Sequence, residues 1–235
     1  MKKEIILTLI VASVLFISRC EFDNYDPPKS FLNGTIVYNN NPVGVRSNGP
    51  QLELWQNTWN TRGVIARSKI PVYIQQDGTF SALLFDGNYK LVRLSGAPWE
   101  NQTDSIDVTV KGQTTVDVPV TPYFTILGET FTYNSADSTI SSSCLVTKVG
   151  TKTISSLTLY VNTTILLDAN VNLLNNVLAL TGISDLSIPK TNKVKLSNAA
   201  FTSLNGRNYI YARLGVATSG VGERLYTAQK MIMLQ

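Results

Sequence analysis

Short segments in which apolar and polar residues alternate dominate this chain, and that period of two commits it to β-structure. Ile106, Val108 and Val110 alternate with Asp107, Thr109 and Lys111; beyond Lys111-Gly112-Gln113, Val116, Val118 and Val120 alternate with Thr115 and Asp117. This pattern predicts a hairpin with one apolar face. Ile70, Val72 and Ile74 form another inward row, and the turn Asp77-Gly78-Thr79-Phe80 leads into Phe80, Ala82 and Leu84. Asp86-Gly87-Asn88 predicts a further turn, feeding Tyr89 and Leu91. In both Asp-Gly turns the carboxylate is expected to bond nearby backbone and the glycine to take a positive φ. With Leu52 and Leu54, and an opening strand over 32–38, seven strands are expected before residue 121, enough for a sandwich.

The rest of the chain carries the same signature. Leu157, Leu159 and Val161 alternate, and no helical run longer than two turns stands out. Residues 165–180 can be read with either period, but Thr163, Thr164, Asn172 and Asn175-Asn176 favour short strands and a turn. Hydrophobic residues make up 43% and charged residues 15%, with Thr, Asn and Ser abundant, as suits antiparallel sheets with solvated faces. A boundary is expected near Thr121-Pro122, giving two sandwiches of about 100 residues, an ordinary domain size.

The amino terminus reads as an export signal. Lys2 and Lys3 precede an uncharged run of 13 residues, and Cys20 follows Ser18-Arg19 and precedes the acidic stretch 21–26. A run so short falls below the roughly 20 residues needed to span a bilayer, so it is expected to be a cleaved leader. The layout is that of a bacterial lipoprotein, with Arg19 standing where such signals normally have a small residue. The expected organisation is a signal peptide over 1–19, a lipid-anchored linker over 20–30 with lipid on Cys20, and domains over 31–121 and 122–235. The linker, with Pro27-Pro28, is short and semi-extended.

Composition removes several kinds of chemistry. The chain has no histidine, which excludes the Ser-His-Asp and Cys-His arrangements and the commonest metal ligand. With Cys20 lipidated, Cys144 has no intramolecular partner and is expected to be a buried, inert thiol on a strand. Asp77, Asp86, Glu53 and Glu100 are the carboxylates available in the first domain for acid–base work on a glycoside, and each has a structural explanation. No enzyme, metal or cofactor is therefore expected. Loss of Lys2, Lys3, Glu4 and Arg19 with the leader reduces the formal charge from +4 to +2, and no basic stripe remains for nucleic acid.

The spacing of Gly34-Thr35-Ile36-Val37, Pro42-Val43-Gly44, Leu52-Glu53-Leu54, Asp77-Gly78-Thr79-Phe80 and Gly87-Asn88-Tyr89-Lys90-Leu91, with the closing valine rows, resembles the carboxypeptidase regulatory-like, or transthyretin-like, sandwich. Residues 204–213 resemble the late strands of a fibronectin type III or immunoglobulin-like domain. More narrowly, the phrases ELWQ at 53–56, IPVYIQQDGTFSALLFDGNYKL at 70–91, GAPW at 96–99, VTPYF at 120–124 and YARLGVATSGVGERLY at 211–226 resemble a Bacteroidetes lipoprotein family, domain of unknown function 3823. The resemblance implies an all-β, two-domain protein of the cell surface that accompanies starch-utilisation-type outer-membrane glycan importers. Glu21 and Asp23 resemble the acidic export signals of such lipoproteins and imply the exterior of the outer membrane. The family brings no catalytic residues.

Aromatic side chains carry the functional expectation. Sugars stack apolar C–H faces on exposed rings, with Asn, Gln, Asp or Arg completing the site. Trp59 and Trp99 fall in presumed loops, and Trp55 shares strand parity with Glu53, opposite Leu52 and Leu54; these three are the candidate ligand-binding residues. The alternative is that the rings plug the sandwich ends or the domain junction. If the strands simply alternate up and down, Trp59 and Trp99 lie at opposite ends, with Trp99 at the exit into the second domain and Trp59 toward the anchor. Two functions fit: a glycan-binding lipoprotein that holds oligosaccharide or polysaccharide near an importer, and a docking subunit contacting that importer or another envelope protein.

Overall fold

The computed structural model describes residues 26–59 and 65–235, and side chains from residue 69 onward and before residue 57. The leader, Cys20 and the start of the linker lie outside the described residues. The first domain contains β1 (Ser30–Tyr38), β2 (Asn41–Pro42), β3 (Gln51–Trp59), β4 (Ile65–Tyr73), β5 (Thr79–Leu84), β6 (Gly87–Arg93), β7 (Ser105–Val110) and β8 (Gln113–Pro119). One sheet is centred on β1, with β2 and β5 antiparallel along one edge and β8 parallel along the other. The facing sheet has the order β4-β3-β6-β7. Leu32, Ile36, Leu52, Leu54, Val72, Ile74, Phe80, Leu84, Leu91, Val110 and Val118 fill the space between them.

Two expectations are corrected here. The rows 106–110 and 116–120 do not form a hairpin. β7 pairs with β6, whereas β8 pairs with β1, so Lys111-Gly112-Gln113 carries the chain from one sheet to the other. The second concerns the Asp-Gly pairs. Gly78 takes φ +87 and Asp77 accepts from the Thr79 amide at 3.0 Å, as a turn requires. Gly87, by contrast, opens strand β6, and Asp86 accepts from the Ser30 hydroxyl. Gly34 in the middle of β1 is needed for a different reason: an added Cβ would run into the Phe80 ring and the Val116 carbonyl.

The second domain comprises β9 (Phe124–Asn134), β10 (Thr139–Lys148), β11 (Ile154–Asn162), β12 (Leu174–Ala179), β13 (Lys190–Lys195), α1 (Asn198–Ser203), β14 (Tyr209–Thr218), β15 (Leu225–Tyr226) and β16 (Lys230–Met233). One sheet has the order β13-β10-β9; the other runs β12-β11-β14, with β15 and β16 both paired to β14. Three strands face a sheet of five in which β15 and β16 both lie against β14, so the all-β, two-sandwich expectation holds. Residues 163–173 are irregular and 174–179 are strand, so the non-helical reading of that segment stands. The 6-residue α1 on the β13–β14 crossover, which periodicity does not signal, is capped by Ser197, whose hydroxyl accepts from the Ala200 amide at 3.2 Å.

Cys144 sits on β10 at 2% exposure, and burial pushes its thiol up to about 11. It should fail to react with a disulfide reagent at pH 8 in the folded protein and react fully in denaturant. Rapid labelling of the native state at residue 144, read by peptide mapping, would contradict the packing described.

Candidate functional site

The site grows out of strand parity on β14. Ile210, Ala212, Leu214 and Val216 face the core, which places Tyr211, Arg213 and Gly215 on the opposite face. Gly215 pairs with Tyr226, and its missing Cβ makes room for rings: a Cβ there would lie 2.8 Å from Tyr226 and 3.0 Å from Tyr160. Arg213 is fully buried beside them, its guanidinium 4.5 Å from the Tyr226 ring centroid. It donates to three carbonyls: Thr227 at 2.6 Å, Leu167 at 3.3 Å and, across the junction, Gln76 of the first domain at 2.7 Å. Desolvation lowers its pKa to about 10, against the pull of Tyr226, Asp168 and Asp77, so it stays cationic at neutral pH.

Further contacts lock the two domains. Gln76 donates to Asp168 at 3.3 Å and accepts from Gln229. Tyr226 donates its amide to Gly44 at 2.9 Å, and a Cβ on Gly44 would fall on the Tyr226 carbonyl. Arg46 pairs with Glu223 at 2.5 Å, and the hydrogen bond it donates to Glu223 raises the Arg46 pKa. On the other side of the joint, Glu100 accepts from the Thr151 amide at 2.6 Å and hydroxyl at 2.8 Å. Those two bonds hold the Glu100 carboxyl below the ordinary glutamate value.

Between the domains lies a cleft of about 760 Å³. The β1–β2 hairpin supplies Tyr38, Asn39 and Asn41, and the Asp77 turn supplies Asp77 and Thr79. Asn39 and Asn40 have φ 49 and 63, the two left-handed positions of a two-residue hairpin loop. β9 contributes Ile126, Leu127 and Glu129, and the link after β15 contributes Thr227 and Ala228. Its volume, largely apolar walls and scattered polar groups are those of small-molecule sites at domain interfaces. Among the described residues, Asp77 and Glu129 are the only charged side chains lining it. Partial burial pushes the Asp77 carboxyl up, and the Thr79 hydroxyl and amide outweigh that, leaving it below the ordinary aspartate value.

Neither Trp55 nor Trp99 lines this cleft. Trp99 is 1% exposed and bridges to Pro122 at the domain junction, which corrects the expectation that it offers a ligand surface. Trp55 is half-buried on the outer face of β3, between Lys69 and Lys90 in register, with the Lys69 ammonium 6.0 Å from its ring. Trp59 ends β3, and its side chain lies outside the described residues. β3 runs from the Trp99 end to Trp59, roughly 30 Å for nine residues, so the two stand at opposite ends. The four carboxylates weighed for catalysis are held by Thr79, Ser30, Thr151 and, for Glu53, the Lys69 ammonium. The sequence reading missed Tyr38 and Glu129; Asn39-Asn40 was the available signal, as a turn pair after an aromatic strand end.

Two sandwiches locked around a cleft define a two-domain β-protein, and comparison identifies the family. The model of the N-terminal domain of the protein of unknown function DUF3823 matches residues 30–121, and that of the C-terminal domain, DUF3823_C, matches 127–230; the chain belongs to this family. It is similar to a DUF3823 protein from Bacteroides ovatus ATCC 8483, with 33% identity over 88% of this chain and 100% of that one, TM-score 0.75. A DUF3823 protein from Parabacteroides merdae ATCC 43184 is 30% identical over the same shares, TM-score 0.75. A protein from Bacteroides uniformis ATCC 8492, described as a "putative carbohydrate binding protein", shares 18% identity over 88% of this chain and 100% of that one, TM-score 0.68. No curated protein matches the chain.

The joint predicts how the protein fails. Trp99→Ala should lower stability by about 3–5 kcal/mol, and Arg213→Met, which strips the donor from three buried carbonyls, by about 3 kcal/mol, both measured by urea unfolding. Glu100, with its depressed pKa, contributes stability above the ordinary glutamate range that is lost as pH falls through its folded value. Glu100→Gln should therefore flatten the acid side of the stability–pH curve; an unchanged curve would show that the Thr151 bonds do not discriminate between charge states.

Proposed function

We propose that this chain is a non-catalytic, lipid-anchored protein of the outer-membrane surface that holds an oligosaccharide in the cleft between its two sandwiches, serving a glycan importer. The observation that carries the reading is the cleft itself: about 760 Å³, walled mainly by apolar groups, with the half-buried Tyr38 ring beside Asn39, Asn41, Asp77 and Glu129. A ring for stacking, with amides and carboxylates for hydroxyl pairs, is the chemistry a sugar needs. The likeness to the Bacteroides uniformis protein speaks to fold, so the ligand reading rests on these residues. The place on the outer surface rests on the export layout around Cys20.

The cleft's charge selects among sugars. Among the described residues two carboxylates and no cation line it, so neutral and amino sugars fit and uronates or sulfated sugars meet like charge. A few stacked and hydrogen-bonded groups support a Kd in the range ~10 μM to 1 mM. Calorimetric titration against a glycan panel should show this, with acidic glycans at least about tenfold weaker, a gap that Glu129→Gln and added salt both narrow. Tyr38→Ala should weaken binding by roughly 1–3 kcal/mol, whereas Trp55→Ala should leave it unchanged. No hydrolysis is expected. Absence of binding across the panel would transfer the assignment to the docking subunit.

A further inference from the structure

Parity on the β1 sheet places an apolar cluster on its outer face, at the end where β1 enters the domain. Phe31 on β1 pairs with Leu83 on β5, and both face outward with Phe85, because Leu32 and Leu84 face the core. These three side chains are 37%, 50% and 46% exposed. The next outward row holds Asn33, Ser81 and Thr115, and the row after it Thr35, Thr79 and Asp117. The last outward row of β1 is Val37 with Pro42 and Pro119. Phe31 and Tyr38 stand roughly 23 Å apart at about 3.3 Å per residue; the Phe31 end is where β1 enters the domain, and the Tyr38 end borders the interdomain cleft.

We infer that Phe31, Leu83 and Phe85 form a bilayer-seating patch that rests in the interfacial zone of the membrane and holds the cleft outward. The occupant follows from the chain's own connectivity, in a step that rests on the lipid-anchor reading of Cys20. Phe31 is 11 residues beyond Cys20, a contour of at most about 40 Å, so an anchored chain keeps this end of the domain close to the membrane. Charges of both signs flank the patch along the chain: Lys29 stands two residues before Phe31, Asp86 follows Phe85, and Gly112, next to Lys111, accepts from the Phe31 amide; Lys29 is already paired with Asp26 at 3.2 Å. The contact is therefore apolar and indifferent to lipid headgroup charge. Among the described residues no helix is long and apolar enough to cross a membrane. Three partly exposed side chains hold a protein to a bilayer weakly by themselves; next to a tether they face a high local concentration of lipid and fix orientation.

The test measures orientation on neutral phosphatidylcholine vesicles. The mature chain is tethered at position 20, either by its own lipid or, in a Cys20→Ala version, by an N-terminal histidine tag on chelating lipid. An environment-sensitive fluorophore is placed on Leu83→Cys or, as the control, on Asp117→Cys; Cys144 is buried and stays unlabelled. The probe at 83 should shift to the blue and be quenched several-fold more by spin-labelled lipid than by aqueous iodide, with the order reversed at 117. Iodide quenching of both probes alike overturns the proposal. A blue shift at 83 that grows with protein density and ignores spin-labelled lipid assigns the patch to a second copy and overturns it as well. Anchoring is read separately: an N-terminal peptide mass without lipid counts against the Cys20 reading, while the histidine-tagged version still decides the patch. Failure of sugar titration bears on the cleft alone.

Discussion

The buried guanidinium of Arg213 is the contact on which the arrangement of the two domains depends. A charge removed from water is costly unless all its donors are satisfied, and here the acceptors are backbone carbonyls from three separate places in the chain. Gln76 is on the first domain, Leu167 on the irregular segment after β11, and Thr227 on the link after β15. All three must arrive together, and carbonyls cannot swing away as side chains can. Gln76, Tyr226 and Thr227 are at once partners of Arg213 and walls of the cleft, so the group that fixes the domains also fixes the shape of the space between them.

Period-two alternation made the inward residues legible, because it reports which face of a strand is dry. Leu32, Leu52, Leu54, Val72, Ile74, Leu91 and Val118 are all buried as their positions imply. Alternation carries no information about which strand lies alongside. A glycine turn between two valine rows therefore looks the same whether the chain doubles back within a sheet or crosses to the facing one, and Gly112 does the second. The helix 198–203 escaped notice because a single turn and a half has too few residues to show a period.

The tryptophans show why local polarity is a poor guide to exposure. Trp99 has Glu100, Asn101 and Gln102 after it, which suggests a wet loop. Glu100 is instead occupied by Thr151 of the other domain, and its neighbour ring is drawn under the joint. Tyr38 gave the opposite impression: as the last residue of an apolar strand it reads as core, yet the turn at Asn39-Asn40 leaves its ring partly open beside the cleft. For Trp99 the decisive contact joins residues 51 positions apart, Glu100 and Thr151, which no local window of sequence contains.

The two ends of the first sandwich divide the work. At the end where the chain enters, apolar side chains stand on the outer sheet face; at the far end the hairpin and the Asp77 turn present amides and carboxylates to the second domain. A sandwich suits this separation because its strands run unbroken from one end to the other, so the spacing between the ends is set by strand length and not by a flexible loop. Rigidity at the joint completes the device. A ligand held between two domains that moved freely would have to spend binding free energy on fixing them; here the joint is already closed by Arg213, the Arg46–Glu223 pair and the Glu100–Thr151 bonds. On the proposed binding role, that preorganisation would let a weak set of contacts act as a selective one.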